Sequence, residues 1–123
     1  MANWVIPYQA NDIINTLLAG QSFSLGWATQ AVTCTRQMQT LPGEDSGGSP
    51  AYARATCTVV AQTIAQTNDT LSASGQLTSN GNKTIYGMAV FHSSGKVFML
   101  VDFTPIPIGT GKSISFVGQM QGL

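Results

Sequence analysis

Three runs rich in β-branched and aromatic residues crowd the C-terminal third of the chain and restrict what it can fold into. Thr84-Ile85-Tyr86-Gly87-Met88-Ala89-Val90-Phe91-His92 is followed by Ser93-Ser94-Gly95 and then by Lys96-Val97-Phe98-Met99-Leu100-Val101-Asp102-Phe103. Two such runs around a short Ser/Gly cluster predict a β-hairpin. Thr104 to Gly111 holds two prolines and two glycines. Neither type suits the interior of a central strand, so this stretch is expected to be a loop. From Lys112 to Met120 the pattern alternates, with Ile114, Phe116, Gly118 and Met120 on one face and Ser113, Ser115, Val117 and Gln119 on the other. A period of two predicts a third strand with one face on a core.

The same reading extends upstream. Ser22 to Ala28 places Phe23, Leu25 and Trp27 on one side of a strand, which is expected to continue weakly through Ala31 to Thr35. Tyr52 to Val60 sets Tyr52, Arg54, Thr56 and Thr58 against Ala53, Ala55, Cys57 and Val59. A further strand is expected from Thr70 to Leu77, followed by an Asn80-Gly81 pair, a two-residue hairpin signal. Asn11 or Asp12 can cap a short helix over Ile13 to Ala19. Its residues Ile13, Ile14, Leu17 and Leu18 lie on one side and Gly20 stops it. Residues 37–51 read as a polar and mobile loop, with three glycines, two prolines and the acids Glu44 and Asp45. No internal repeat or domain boundary breaks the chain. The expectation is an all-β fold, a single sandwich domain over 1–123 in which residues 1–20 form an arm and a short helix.

Chemistry is hard to place on this sequence. The acids are Asp12, Glu44, Asp45, Asp69 and Asp102, and His92 is the only imidazole. Adjacent acids in a mobile loop are poorly placed for general acid–base work, and no nucleophile motif accompanies His92. Gly109-Thr110-Gly111-Lys112-Ser113 lacks the spacing of a phosphate loop and precedes a strand. Cys34 and Cys57 without a C-x-x-C do not make a zinc site and read as small buried hydrophobes. Asp102 interrupts an apolar strand, so it is expected to be paired or at the surface, and Arg54 is a candidate partner. The reading is of a protein that is not an enzyme and carries no cofactor or metal.

Composition matters at this point. Charged residues are 8% of the chain, against about 25% in ordinary soluble domains, and five cations balance five anions. A nucleic-acid partner would need a basic patch, which is lacking here. Such a surface is either neutral but adequately soluble, or buried against other subunits, where charge is depleted. Residues 1–20 show no basic segment before an apolar stretch, and no run reaches the ~18 apolar residues of a membrane span. The chain is therefore expected to be made in the cytoplasm and not membrane-bound. On that reading the sequons at Asn68-Asp69-Thr70 and Asn82-Lys83-Thr84 are only polar loops.

A set of short motifs suggests a family. Leu41-Pro42-Gly43-Glu44, a Gly-rich loop, Tyr52-Ala53-Arg54, the hairpin with Ser94-Gly95-Lys96, and a closing strand with Ser113, Ser115, Phe116 and Gly118 follow one another. This order resembles small tailed-bacteriophage virion proteins, often called tail fibre proteins, and their jelly-roll-like relatives that act as capsid cement or decoration proteins. The resemblance spans roughly residues 22–123, although the stretch between Ala28 and Leu41 is longer than in the family. It implies a jelly-roll-like antiparallel β-sandwich in a virion, a homo-oligomer that binds and stabilises the major capsid protein, with no nucleic acid or membrane partner. Candidate contact residues are Trp4, Ile6 and Tyr8 in the arm and Gly43, Glu44, Asp45 and Ser46 in the loop; the alternative is that both are ordinary surface. A tail- or fibre-associated virion protein is the neighbouring reading. A carbohydrate-binding sandwich using Trp27, Tyr52 and Tyr86 is a third.

Overall fold

The computed structural model describes residues 2, 3, 5–47 and 52–121. Among these residues one helix, α1 (Tyr8–Ala19), precedes six strands: β1 (Phe23–Ala28), β2 (Ala55–Gln62), β3 (Thr70–Thr78), β4 (Lys83–His92), β5 (Val97–Ile108) and β6 (Ser113–Gln121). All pairings are antiparallel, in the order β5-β4-β1-β2-β3-β6. The fold is thus all-β with one short N-terminal helix, as expected. Strands β5 and β6 stand at opposite ends of that order, yet only residues 109–112 join them. So short a link obliges the sheet to curl until its two edges approach, and its halves then face each other across one core.

Register follows from the alternating pattern, because a slip by one residue would turn every apolar side chain outward. Phe23, Leu25 and Trp27 of β1 lie opposite Cys57 and Ala55 of β2 on one side and Val90 and Met88 of β4 on the other. Leu71, Ala73, Gly75 and Leu77 of β3 meet Met120, Gly118, Phe116 and Ile114 of β6. The main core gathers Phe23, Leu25, Trp27, Cys57, Val59, Leu71, Leu77, Ile85, Met88 and Val90, with Phe98, Met99, Phe103, Ile114 and Phe116 packed against it.

Several elements depart from expectation. Strand β5 does not stop at Phe103 but runs to Ile108 through both prolines. Pairing shifts between Ile85↔Ile106 and Gly87↔Asp102, so residues 103–105, including Pro105, form a bulge. Pro107 opposite Thr84 sits on an edge strand. Bulges and edges are where a residue without an N–H is tolerated. Asn80-Gly81 does not close a hairpin. Strand β3 already has β2 and β6 as neighbours, so the chain crosses to β4, held where Ser79 N donates to Lys112 O (2.8 Å) and Gly111 N to Ser79 O (2.9 Å). Residues 31–35 are not a strand. They run over the outer face of β1 and β4, where Ala28, Leu41, Ala89 and Phe91 form a second buried cluster.

The helix begins earlier than expected, with Pro7 at its N-cap and no side-chain cap. Asp12 cannot serve there, because it lies inside the helix. Its carboxylate accepts from Thr16 Oγ1 (3.2 Å) and Asn68 Nδ2 (2.8 Å). Asn68, in left-handed backbone, opens the turn into β3. The next residue, Asp69, gathers the N–H groups of Ile64, Ala65 and Gln66, each at 3.0 Å.

These bonds, from Gln66 and then Ile64, hold the Asp69 carboxyl far below the usual carboxylate range against the opposing pull of desolvation; Ala65 and the Thr70 hydroxyl add to them. A depressed folded pKa contributes stability that is complete above the unfolded value of about 3.9 and is lost as pH falls below it. The melting temperature is therefore expected to drop progressively as pH is lowered from about 4. Asp69→Asn, which cannot accept three N–H groups as an anion, should melt lower at neutral pH and show a flatter acid limb. Calorimetry between neutral pH and pH 2 checks this; parallel limbs would remove Asp69 as the cause.

Candidate interaction surface

The residues proposed for contact fall in two places. In the arm Ile6 is exposed, as is Val5, and Tyr8, which the structure places at the start of α1, is exposed too; Trp4 lies outside the described residues. The helix that follows is turned in an unexpected sense. A 3.6-residue period puts Asn11, Asn15 and Leu18 on one side and Ile13, Ile14 and Leu17 on the other. Leu18 packs on the main core and Asn15 is buried, with its Nδ2 donating to Asn68 O at 2.7 Å. Ile13, Ile14 and Leu17 are exposed. The expected four-residue apolar side is therefore split, and only Leu18 faces the body. A signal was present in the sequence: Asn11 and Asn15, four apart, offered a polar face with partners to find.

The second place is the loop from Leu41 to Arg54, of which residues 48–51 lie outside the described set. Up to Gly47 it is tied down, not mobile. Glu44 forms a bridge with Ala28, and Asp45 N donates to Trp27 O at 3.0 Å. Gly43 takes φ 72°, a conformation that favours glycine, to make the turn. Asp45 is buried. Its carboxylate accepts from Trp27 Nε1 (3.1 Å) and Gly47 N (3.0 Å) and pairs with the Lys83 ammonium. Glu44 accepts from Tyr52 Oη (2.8 Å) and from Arg54 Nε and Nη2 (2.8 and 2.9 Å). Arg54 also lies 3.5 Å above the Phe91 ring centre. Of the four loop residues, Ser46 is exposed, Gly43 and Glu44 are half-buried, and the Asp45 carboxylate points inward.

Arg54 therefore pairs with Glu44, not with Asp102. Asp102 accepts from Cys34 N at 2.7 Å and so fastens the wrapping segment to β5. The sequence offered Asp102 as a candidate partner for Arg54 but could not show that the loop folds back over β1. Gly26 is what permits this approach: a Cβ there would stand 2.5 Å from Tyr52 Oη and 2.8 Å from Glu44 Oε2. The motifs Leu41-Pro42-Gly43-Glu44 and Tyr52-Ala53-Arg54 thus meet in one clamp.

Electrostatics follow the geometry. Desolvation pushes the Asp45 and Glu44 carboxyls up, but it is outweighed. Hydrogen bonds from Lys83, Gly47 and Trp27 hold Asp45 below the usual range, and those from Arg54 and Tyr52 do the same for Glu44. Burial and the Glu44 carboxylate push the Tyr52 phenol well up. The shifts of the Glu44 and Asp45 carboxyls, the Tyr52 phenol and the Arg54 guanidinium all run away from neutrality, which suits a structural network.

Elsewhere, His92 contacts Gln21 through Nε2 and Ser94 through Nδ1 (2.9 Å), and no carboxylate is among these partners. Cys34 and Cys57 are free thiols, Cys57 buried in the core and Cys34 half-buried in the wrapping segment, with burial pushing both pKa values up. Among the described residues no three of His, Cys, Asp and Glu gather to hold a metal ion, and no helix is long and apolar enough to cross a membrane. Trp27 is buried, and Tyr52 and Tyr86 are half-buried. No protein-family model matches the chain, and no curated protein matches it in sequence.

Proposed function

We propose that this chain is a structural virion protein of a tailed phage, a cement or decoration protein that binds the major capsid protein shell as a homo-oligomer and carries out no catalysis. The observation that carries the reading is the pairing of a hydrogen-bonded, charge-poor β body with an outward apolar arm and helix face. A subunit that assembles as a homo-oligomer on a shell needs such a surface between its copies, and apolar burial at ~25 cal/mol/Å² supplies that association. Symmetry on a shell multiplies weak contacts into avidity. The short motifs resembling those virion proteins support the same reading, since two of them form the clamp that stiffens the body.

Co-sedimentation of the purified protein with capsid shells lacking it, and separately with purified tails, tests this. Saturable binding to shells, at a stoichiometry tied to capsid symmetry and with greater resistance of the shell to heat or chelation, is the expected result. Binding to tails alone would move the protein to the tail apparatus. Binding to neither would overturn both assembly readings and leave glycan recognition to be tested on an array.

A further inference from the structure

The helix is docked inside out. Its polar residues Asp12 and Asn15 are bonded to Asn68 of the body, while Ile13 (61% exposed) and Leu17 (65%), one turn apart, look outward with Ile14. The arm continues the same apolar character through Val5 (82%) and Ile6 (60%). Ordinary packing would bury such a face in the protein's own core, and exposed patches of this size mark interaction sites.

We infer that this face is an isologous interface with a second copy of the chain, α1 against α1 about a two-fold axis near Ile13 and Leu17. Two properties select a copy over a different partner. The first is charge. Between residues 2 and 20 the only charged side chain is Asp12, and it is turned toward Asn68 and Thr16. A face with no charge meets itself without like-charge repulsion, and it offers no pattern by which a charged partner would be chosen. The second is area. Val5, Ile6, Ile13, Ile14 and Leu17 together expose on the order of 500 Å² on one protomer, so covering all of it on both copies comes to about 1,000 Å², the lower limit of a specific interface. A twelve-residue helix, about 18 Å long, carries the Ile13–Leu17 pair near its middle and C-terminal half, so an antiparallel partner can cover both. The self-complementary patch is what a two-fold requires.

This inference rests on the homo-oligomer part of the proposed function but not on its virion part, and a test on the free protein separates them. Sedimentation equilibrium of the full chain is expected to show a dimer at micromolar concentrations. The double substitution I13D/L17D should weaken it by at least about 100-fold, to a monomer, with the far-UV circular dichroism unchanged because both positions are exposed. The milder L17Q should weaken it less, and guards against misfolding of the double variant. A wild type that stays monomeric, forms a trimer or larger ring, or dimerises equally well with I13D/L17D would overturn the inference. If the wild type is monomeric and I13D/L17D abolishes binding to shells, the occupant is the shell protein and the second copy is excluded.

Discussion

Replacing Asp45 by alanine is expected to lower the unfolding free energy by about 3–5 kcal/mol, a large part of the stability of a domain of this size. The carboxylate is the common acceptor for the Trp27 indole, the Gly47 amide and the Lys83 ammonium. Lys83 keeps only 11% of its side chain in solvent, so removal of Asp45 leaves a largely buried cation and a buried indole N–H without their partner. The cost arises from those orphaned groups more than from the loss of the pair itself. Asp45→Asn retains an acceptor for the indole but not the charge, and should cost less. Adding Lys83→Met to Asp45→Ala should recover part of the loss, because the stranded ammonium is gone; the two changes are then strongly non-additive. Urea denaturation at neutral pH measures all three, with the denaturant slope constant throughout. A loss below about 1 kcal/mol for Asp45→Ala would mean that solvent reaches Lys83 readily and that the clamp holds little.

Phe91→Ala is expected to cost a similar amount, about 3–5 kcal/mol, for a different reason. Phe91 points to the outer face of the sheet, away from the main core, and is buried with Ala28, Leu41 and Ala89 beneath the wrapping segment. Removing the ring leaves a cavity among Ala28, Leu41 and Ala89, with Val32, Val97 and Leu100 at its margin. The ring is also the platform of the Arg54 guanidinium. Its removal should loosen the loop as well as the sheet. Amide exchange separates the two effects. The Thr29 and Asp45 amides, bonded to Gly43 O and Trp27 O, should lose protection by more than amides of the β3–β6 ladder do. Phe91→Leu, which keeps most of the volume, should cost less than about 1.5 kcal/mol. Equal loss across the sheet in Phe91→Ala would show that the wrapping segment is not a separate unit.

Much of the sheet was legible in residues alone. The β4–β5 turn follows from Ser94 and from Gly95, which takes φ 90°. The inward sides of β1 and β6 follow from strict alternation, which one buried face enforces. Trp27 in the core was anticipated for the same reason. Strand β4 was harder to read. It is buried over Gly87 to Phe91 on both faces, and that comes from a segment more than forty positions upstream wrapping over it. The candidate site was legible only in part. For the arm the residues left contact and ordinary surface open alike, and the inward carboxylate of Asp45 and the Glu44–Arg54 pair were not legible, since both depend on the loop's path.

What the sequence determined by itself was local: strand periodicity, turn chemistry, an all-β class with one helix, and the poverty of charge. Each follows from the stereochemistry of neighbouring residues. The tertiary structure decided the rest. It let Pro105 and Pro107 stay within a strand, because β5 is an edge and carries a bulge there. It gave Asn80-Gly81 a crossover in place of a hairpin, because both sides of β3 were already paired. It also turned α1 so that Asn15 and Asp12 reach the body, where Asn68 in the turn before β3 bonds both, and it left Ile13 and Leu17 facing out. Helical periodicity separates two faces; which of them is buried depends on what the rest of the chain presents.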